Sequence, residues 1–187
     1  MPAYGATIAV QMREFGVRRL VTGLDGAGKS IIEMDALTPH VTFVNESGSF
    51  AVADLWRTGA APASAAAGDV LTKPPVLVPS HGGSVLRIIR FPPEQELQGH
   101  SVRPDPDDTS AVQAFAGQDS SIHPLMHKTQ TIDYAIVLSG EIWAILEKSE
   151  ALMRAGDVLI QRATSHSWAN RSNAPCIMAF ILIDARE

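Results

Sequence analysis

An all-β protein, a barrel or a sandwich, is what this sequence predicts, and three observations predict it. Short β-type segments recur along the chain, at about 18–22, 30–34, 41–44, 49–57, 84–91, 132–138, 141–147, 157–161 and 175–183. Turn or loop material separates them, and no segment sustains a long helical period. The third observation is size: 187 residues with 45% hydrophobic content can bury a sizeable core, most simply as one domain.

The first two segments flank GLDGAGKS, residues 23–30, which fits the phosphate-loop pattern letter for letter. A phosphate loop needs a strand before it and a long helix after it, so that backbone N–H groups surround the phosphates. Ile31 and Ile32 are β-branched, and the segment soon meets Thr38-Pro39. Two strands joined by a Gly-rich turn are therefore expected, with no nucleotide bound there. Arg13, Arg18 and Arg19 form the one notable basic cluster and read as solvated surface. The formal net charge of -5 makes no broad case for nucleic acid.

Residues 58–80 are rich in Ala, Gly, Ser and Pro. Residues 99–117 carry Asp and Pro and a short helix near 109–115. Both read as lids or wrapping loops. The lone cysteine, Cys176, excludes an intrachain disulfide. No apolar stretch is long enough to span a bilayer, and the amino terminus lacks a signal-peptide pattern, so no membrane partner and a cytoplasmic protein are expected.

The carboxy-terminal half is more regular. In IDYAIVLSGEIW one strand ends near Ser139-Gly140 and the next begins at Glu141. If Asp133 points inward, Ala135 and Val137 share its face, while Tyr134, Ile136 and Leu138 point away. Ala135 leaves room for a ligand. The outward set is apolar too, so a second sheet or a second subunit is expected to cover it, and a homodimer is the preferred outcome.

His40, His81 and His100 sit in Pro-, Gly- or charge-rich surroundings and read as surface or loop residues. His127 precedes Asp133 by six positions, and His166 follows VLIQ. Two imidazoles and a carboxylate on neighbouring strands could hold a divalent transition metal. Equally, the imidazoles could be hydrogen-bonded at a barrel mouth, with Asp133 neutralised by Lys128 or Arg162. Trp168 shares parity with His166 and is the aromatic expected to line a pocket. Trp143, Tyr134 and Phe180 read as core or interface. Gln161 and Arg162 are further substrate-binding candidates, Arg162 as a two-pronged carboxylate donor.

The segment 120–187 resembles the cupin family, small β-barrels that usually bind one metal inside. Gly156, Asp157, His166 and Asn170 match the family's second motif in GDVLIQRATSHSWAN. Asp133 stands seven before Gly140, at the family's acidic ligand position. His127 lies close to the second histidine of the first motif. Leu125 occupies the place two before it, where the family carries histidine. The resemblance implies a jelly-roll barrel over 84–187, with residues 1–83 a β-rich extension packed on the barrel or on a partner subunit. It also implies a metal (Fe, Mn, Ni or Zn) held by His127, Asp133 and His166, with Gln161 or His123 helping. Asp133 and His166 become the catalytic candidates, for oxygenation, isomerisation or decarboxylation of a small oxygenated compound. The competing expectations are a non-catalytic small-molecule-binding or sensing cupin and a purely structural oligomer with a closed apolar barrel.

Overall fold

The computed structural model describes residues 15–68, 71, 76–97 and 107–186. Arg13, His100 and parts of both interrupting loops lie outside the described residues. Eleven strands are described: β1 (Arg18–Leu24), β2 (Ser30–Leu37), β3 (Val41–Phe43), β4 (Ala51–Thr58), β5 (Ser84–Phe91), β6 (Thr131–Ser139), β7 (Glu141–Leu146), β8 (Glu150–Arg154), β9 (Val158–Arg162), β10 (His166–Ala169) and β11 (Cys176–Asp184). A short 3-10 turn (Glu94–Leu97) and one helix, α1 (Thr109–Phe115), complete them. No helix among the described residues is long and apolar enough to cross a membrane.

β1 and β2 form an antiparallel hairpin, and Ser30 opens a strand where a phosphate loop would need a helix. The turn is closed by Asp25, whose Oδ1 accepts from the N–H groups of Ala27 and Lys29 at 2.9 and 2.8 Å. Gly28 supplies the positive φ of 76° that the turn requires.

The barrel consists of two facing sheets. One has strand order β3-β4-β5-β11-β6-β9 and the other β10-β7-β8. β4 pairs with β5 across the residue-83 boundary, so β3 and β4 belong to the same sheet as the barrel strands. Among the described residues before β5, β1 and β2 alone form a sheet apart from the barrel sheets. Between the two sheets lies the core, including Val85, Phe91, Val137, Ile142, Met153, Met178 and Phe180. β6 alternates as expected: Asp133, Ala135 and Val137 are buried, while Tyr134 and Leu138 are exposed. This period-2 pattern aims the site residues inward.

Gly140 carries the chain from one sheet to the other at φ 78°. A Cβ there would lie 2.8 Å from the carbonyl oxygen of Pro175 and 3.1 Å from Cys176 Cα. Gly140→Ala is therefore expected to cost about 2 kcal/mol, through a strained φ plus a backbone clash. Gly26→Ala, whose Cβ meets nothing within 4 Å, serves as the control. Urea midpoints of both variants check the difference.

Candidate functional site

A cavity of about 240 Å³ opens between the sheets. Its walls are mostly apolar, with Phe91, Trp168 and Phe180 among them, and Arg87, Asp108, His127, Asp133 and His166 are its ionisable lining residues. The two loops read as lids both contribute: Val76 and Leu77 from the first, Asp108, Ala111 and Phe115 from the second. Asp108 ties them together. Its carboxylate caps α1 by accepting from Ser110 and Ala111 N–H, and it also accepts from Leu77 N–H at 2.7 Å.

His127 and His166 are brought together by a small antiparallel bridge: each backbone N–H donates to the other's carbonyl at 2.9 Å. Their ring centroids are 4.2 Å apart. Phe115 stacks on His127, and Trp168 meets His166 edge-on. Each ring places Nδ1 against a carbonyl two residues earlier, His127 on Leu125 O at 2.9 Å and His166 on Thr164 O at 3.0 Å. A carbonyl can only accept, so each Nδ1 carries the proton and each Nε2 keeps a free lone pair. Burial pushes both rings down, His166 to about 3 with the adjacent His127 adding to the effect. Both are neutral at ordinary pH.

Asp133 is 5% exposed, and its Oδ1 has no hydrogen-bond partner among the described residues. Burial raises its pKa to about 6, against the opposing pull of the Thr131 hydroxyl and the Arg87 charge. Thr131 is itself held by Thr129 at 2.7 Å.

The other candidates divide. Trp168 lines the cavity and meets Phe180 edge-on at 5.5 Å. Gln161 is buried directly opposite Asp133, but its amide donates to Thr164 O and Oγ1, a bond that shapes the turn before His166. Arg162 is not brought to the cavity. It pairs with Ile132 on the outer face and is exposed, because residues 161 and 162 alternate across β9. His123 also stays out: its Nε2 meets Glu94 at 3.0 Å and its Nδ1 meets Ser167 Oγ at 2.6 Å. Asn170, matched by the second motif, fastens the β10–β11 connection by donating to Phe91 O and Ala174 O.

Arg87 was not anticipated. It reaches the cavity wall from β5, ion-paired to the buried Asp54 at 3.0 Å. Its signal is a charge on the inward parity of SVLRIIRF, between Val85 and Phe91.

These residues fit a resident metal in part. The Nδ1–carbonyl bonds are of the kind that orient metal-bound imidazoles. Among the described residues, however, no three His, Cys, Asp or Glu side chains close into a metal-sized group. Asp133 shares the cavity with the imidazole pair without completing a three-ligand set.

Two facing antiparallel sheets around one internal site define a double-sheet β-barrel. The chain belongs to the cupin family: it is 32% identical over 186 residues to the cupin-domain-containing oxidoreductase virC of Hypocrea virens, across 91% of this chain and 79% of that protein. It is also 37% identical over 117 residues to phomopsin biosynthesis cluster protein D of Diaporthe leptostromiformis, covering 62% of this chain and 47% of that protein. The chain thus spans about half the length of the phomopsin relatives it matches. Among solved structures, the Schizosaccharomyces pombe Cnp3 cupin domain is similar at 10% identity with a TM-score of 0.44, over 89% of this chain and 87% of that one. No protein-family model matches the chain.

Proposed function

We propose that this chain is a cupin enzyme that moves a proton beside the carbonyl group of a small, hydroxyl-bearing compound with a largely apolar skeleton. The observation that carries this reading is the unpartnered Asp133 Oδ1 in a mostly apolar cavity shared with two neutral imidazoles. At neutral pH a carboxyl with a pKa near 6 is mostly ionised, yet it is a stronger base than an exposed carboxylate. The two Nε2 atoms are acceptors, so they suit substrate O–H groups, and Phe115 and Trp168 help keep water out. Asp133 removes a proton from the hydroxyl-bearing carbon beside the carbonyl and returns it at the former carbonyl carbon, while the hydroxyl proton passes to the former carbonyl oxygen and the C=O double bond moves to the carbon that carried the hydroxyl. The net change is an isomerisation, balanced without an external oxidant. Two relatives' names support an enzyme's role: virC is called an oxidoreductase, and protein D is assigned to a biosynthesis cluster.

A second reading is a metal held by His127 and His166, favoured by their Nε2-presenting tautomers. A bound Fe, Mn, Ni or Zn would supply Lewis-acid polarisation of a substrate oxygen. One experiment separates the readings. Hydroxy-ketone and hydroxy-aldehyde probes are incubated in D₂O with wild type, His127→Ala and His166→Ala, each analysed for metal content. Deuterium entering the probe at the same rate with or without chelator, and about tenfold weaker probe binding in the variants, is the expected result. Near-stoichiometric metal lost from both variants, with exchange abolished by chelation, would move the assignment to the metal centre. Saturable binding without any exchange would make this a binding protein.

A further inference from the structure

The polar groups of the cavity match a ligand that donates hydrogen bonds and carries positive charge. Three side-chain acceptors of its lining residues are unspent. Asp133 Oδ1 has no partner among the described residues, and His127 and His166 keep Nε2 lone pairs because each Nδ1 is held by a carbonyl. The side-chain groups of Arg87, Thr129 and Ser167, by contrast, are engaged. Arg87 turns Nε to Asp54 Oδ1 at 3.0 Å and donates from Nη2 to Val76 O at 2.9 Å. Thr129 pairs with the Thr131 hydroxyl at 2.7 Å, and Ser167 with His123 Nδ1 at 2.6 Å.

The charge balance has the same sense. The carboxylates of Asp54, Asp108 and Asp133 stand against the guanidinium groups of Arg57 and Arg87, and both imidazoles are neutral. Asp54 faces both guanidiniums and Asp108 pulls on Arg57, so Asp133 has only a share of Arg87. One negative charge is left over, on the buried carboxylate with the unpartnered oxygen. A buried charge of this kind gains most from a cation brought to it. Phe50, Phe91, Phe115, Trp168 and Phe180 line the same cavity, and aromatic rings attract a cation held within about 6 Å of their centroids.

A metal ion holds N and O ligands at about 2.0–2.2 Å, and among the described residues no three His, Cys, Asp or Glu side chains close to that size. An ammonium N–H reaches its acceptor at about 2.9 Å, so it spans a looser set. We infer that the cavity binds a primary ammonium group carried on a small aromatic body. Its N–H groups are given to Asp133 Oδ1 and the imidazole Nε2 atoms, and its ring lies against the aromatic walls. The cavity volume of about 240 Å³ suits a single-ring body. This goes beyond the catalytic reading and does not rest on it, since a cation seated on Asp133 occupies the base instead of using it.

Titration calorimetry on the full chain tests the inference, with phenethylamine, phenethyl alcohol and hydrocinnamate compared at neutral pH in the presence of a chelator. The three share one ring and differ in charge. The amine is expected to bind about tenfold or more tighter than the alcohol, as hydrogen bonds to a charged group allow, and hydrocinnamate more weakly than either. Asp133→Asn should erase the preference for the amine and leave the alcohol within about threefold of its wild-type affinity. Equal binding of amine and alcohol by the wild type overturns the inference, as does a preference that survives Asp133→Asn. Amine binding seen only without chelator also overturns it, by assigning the amine to a metal. Deuterium exchange into carbonyl probes is read separately, so its failure would strike the catalytic reading and leave the amine result standing.

Discussion

Asp133→Asn is expected to lower deuterium exchange into a carbonyl probe by about 10³-fold, within the range a single general base contributes. The same substitution should stabilise the protein near neutral pH. Asp133 titrates at about 6 when folded, against 3.8 for the unmodified group. A folded pKa above the unfolded one means that the native state binds the extra proton between those values. Whatever stability the protonated carboxyl confers is complete below about pH 4 and is lost as pH rises through 6. Above pH 7 the buried carboxylate costs the native state roughly 2–3 kcal/mol relative to its neutral form. Asparagine has no such charge to bury. The stability of Asp133→Asn minus that of wild type should therefore grow by that amount between pH 4 and pH 7.5, measured by urea unfolding at both. The buried imidazoles work in the opposite direction, losing stability as pH falls below 6.5. They are present in both proteins, so the difference isolates Asp133. Loss of exchange without a gain in stability would place Asp133 outside a desolvated site and overturn its role as a burial-strengthened base.

The strands that hold this site were legible because alternation is a local property. Asp133, Ala135 and Val137 fall inward and Tyr134 and Leu138 outward from the period-2 rule alone. His166 and Trp168 follow from the same rule on β10 and from the second cupin motif. The same arithmetic, applied to β9, would have sent Arg162 outward once Gln161 was set inward beside Asp133. The β-type segment legible in the sequence stops at 161, one residue short of Arg162, whereas β9 runs through it. What the sequence could not reveal was pairing between distant strands. Arg87 and Asp54 lie 33 positions apart in sequence and become partners only through the β4–β5 register. His127 reaches His166 through two backbone hydrogen bonds between a loop and the start of β10, a contact with no periodic signature. Leu125, at the place where the family carries histidine, puts an apolar side chain on the cavity wall, while its backbone carbonyl accepts from His127 Nδ1.

Asp54→Ala should be the most destabilising single substitution in the barrel, at about 3–5 kcal/mol. Asp54 is 2% exposed and Arg87 4%, with Nε to Oδ1 at 3.0 Å and Nη2 to Oδ2 at 3.4 Å. Arg57 also approaches the same carboxylate, at 3.8 Å. Removing Asp54 therefore takes away the buried carboxylate shared by two guanidinium groups, leaving Arg57 only the pull of Asp108 and Arg87 only that of Asp133. Apolar replacement of both partners, Asp54→Leu with Arg87→Met, removes the buried pair together, so it should recover most of the loss. A double-mutant cycle by urea unfolding reads this as a coupling of several kcal/mol. The loss should persist in high salt, since buried charges are poorly screened. The pair also reaches the chemistry, because the Arg87 charge is one of the two influences holding Asp133 down against burial. Arg87→Met should raise the Asp133 pKa further and carry the acid limb of the exchange rate to higher pH. An unmoved limb, with the stability loss still present, would confine the pair to the fold.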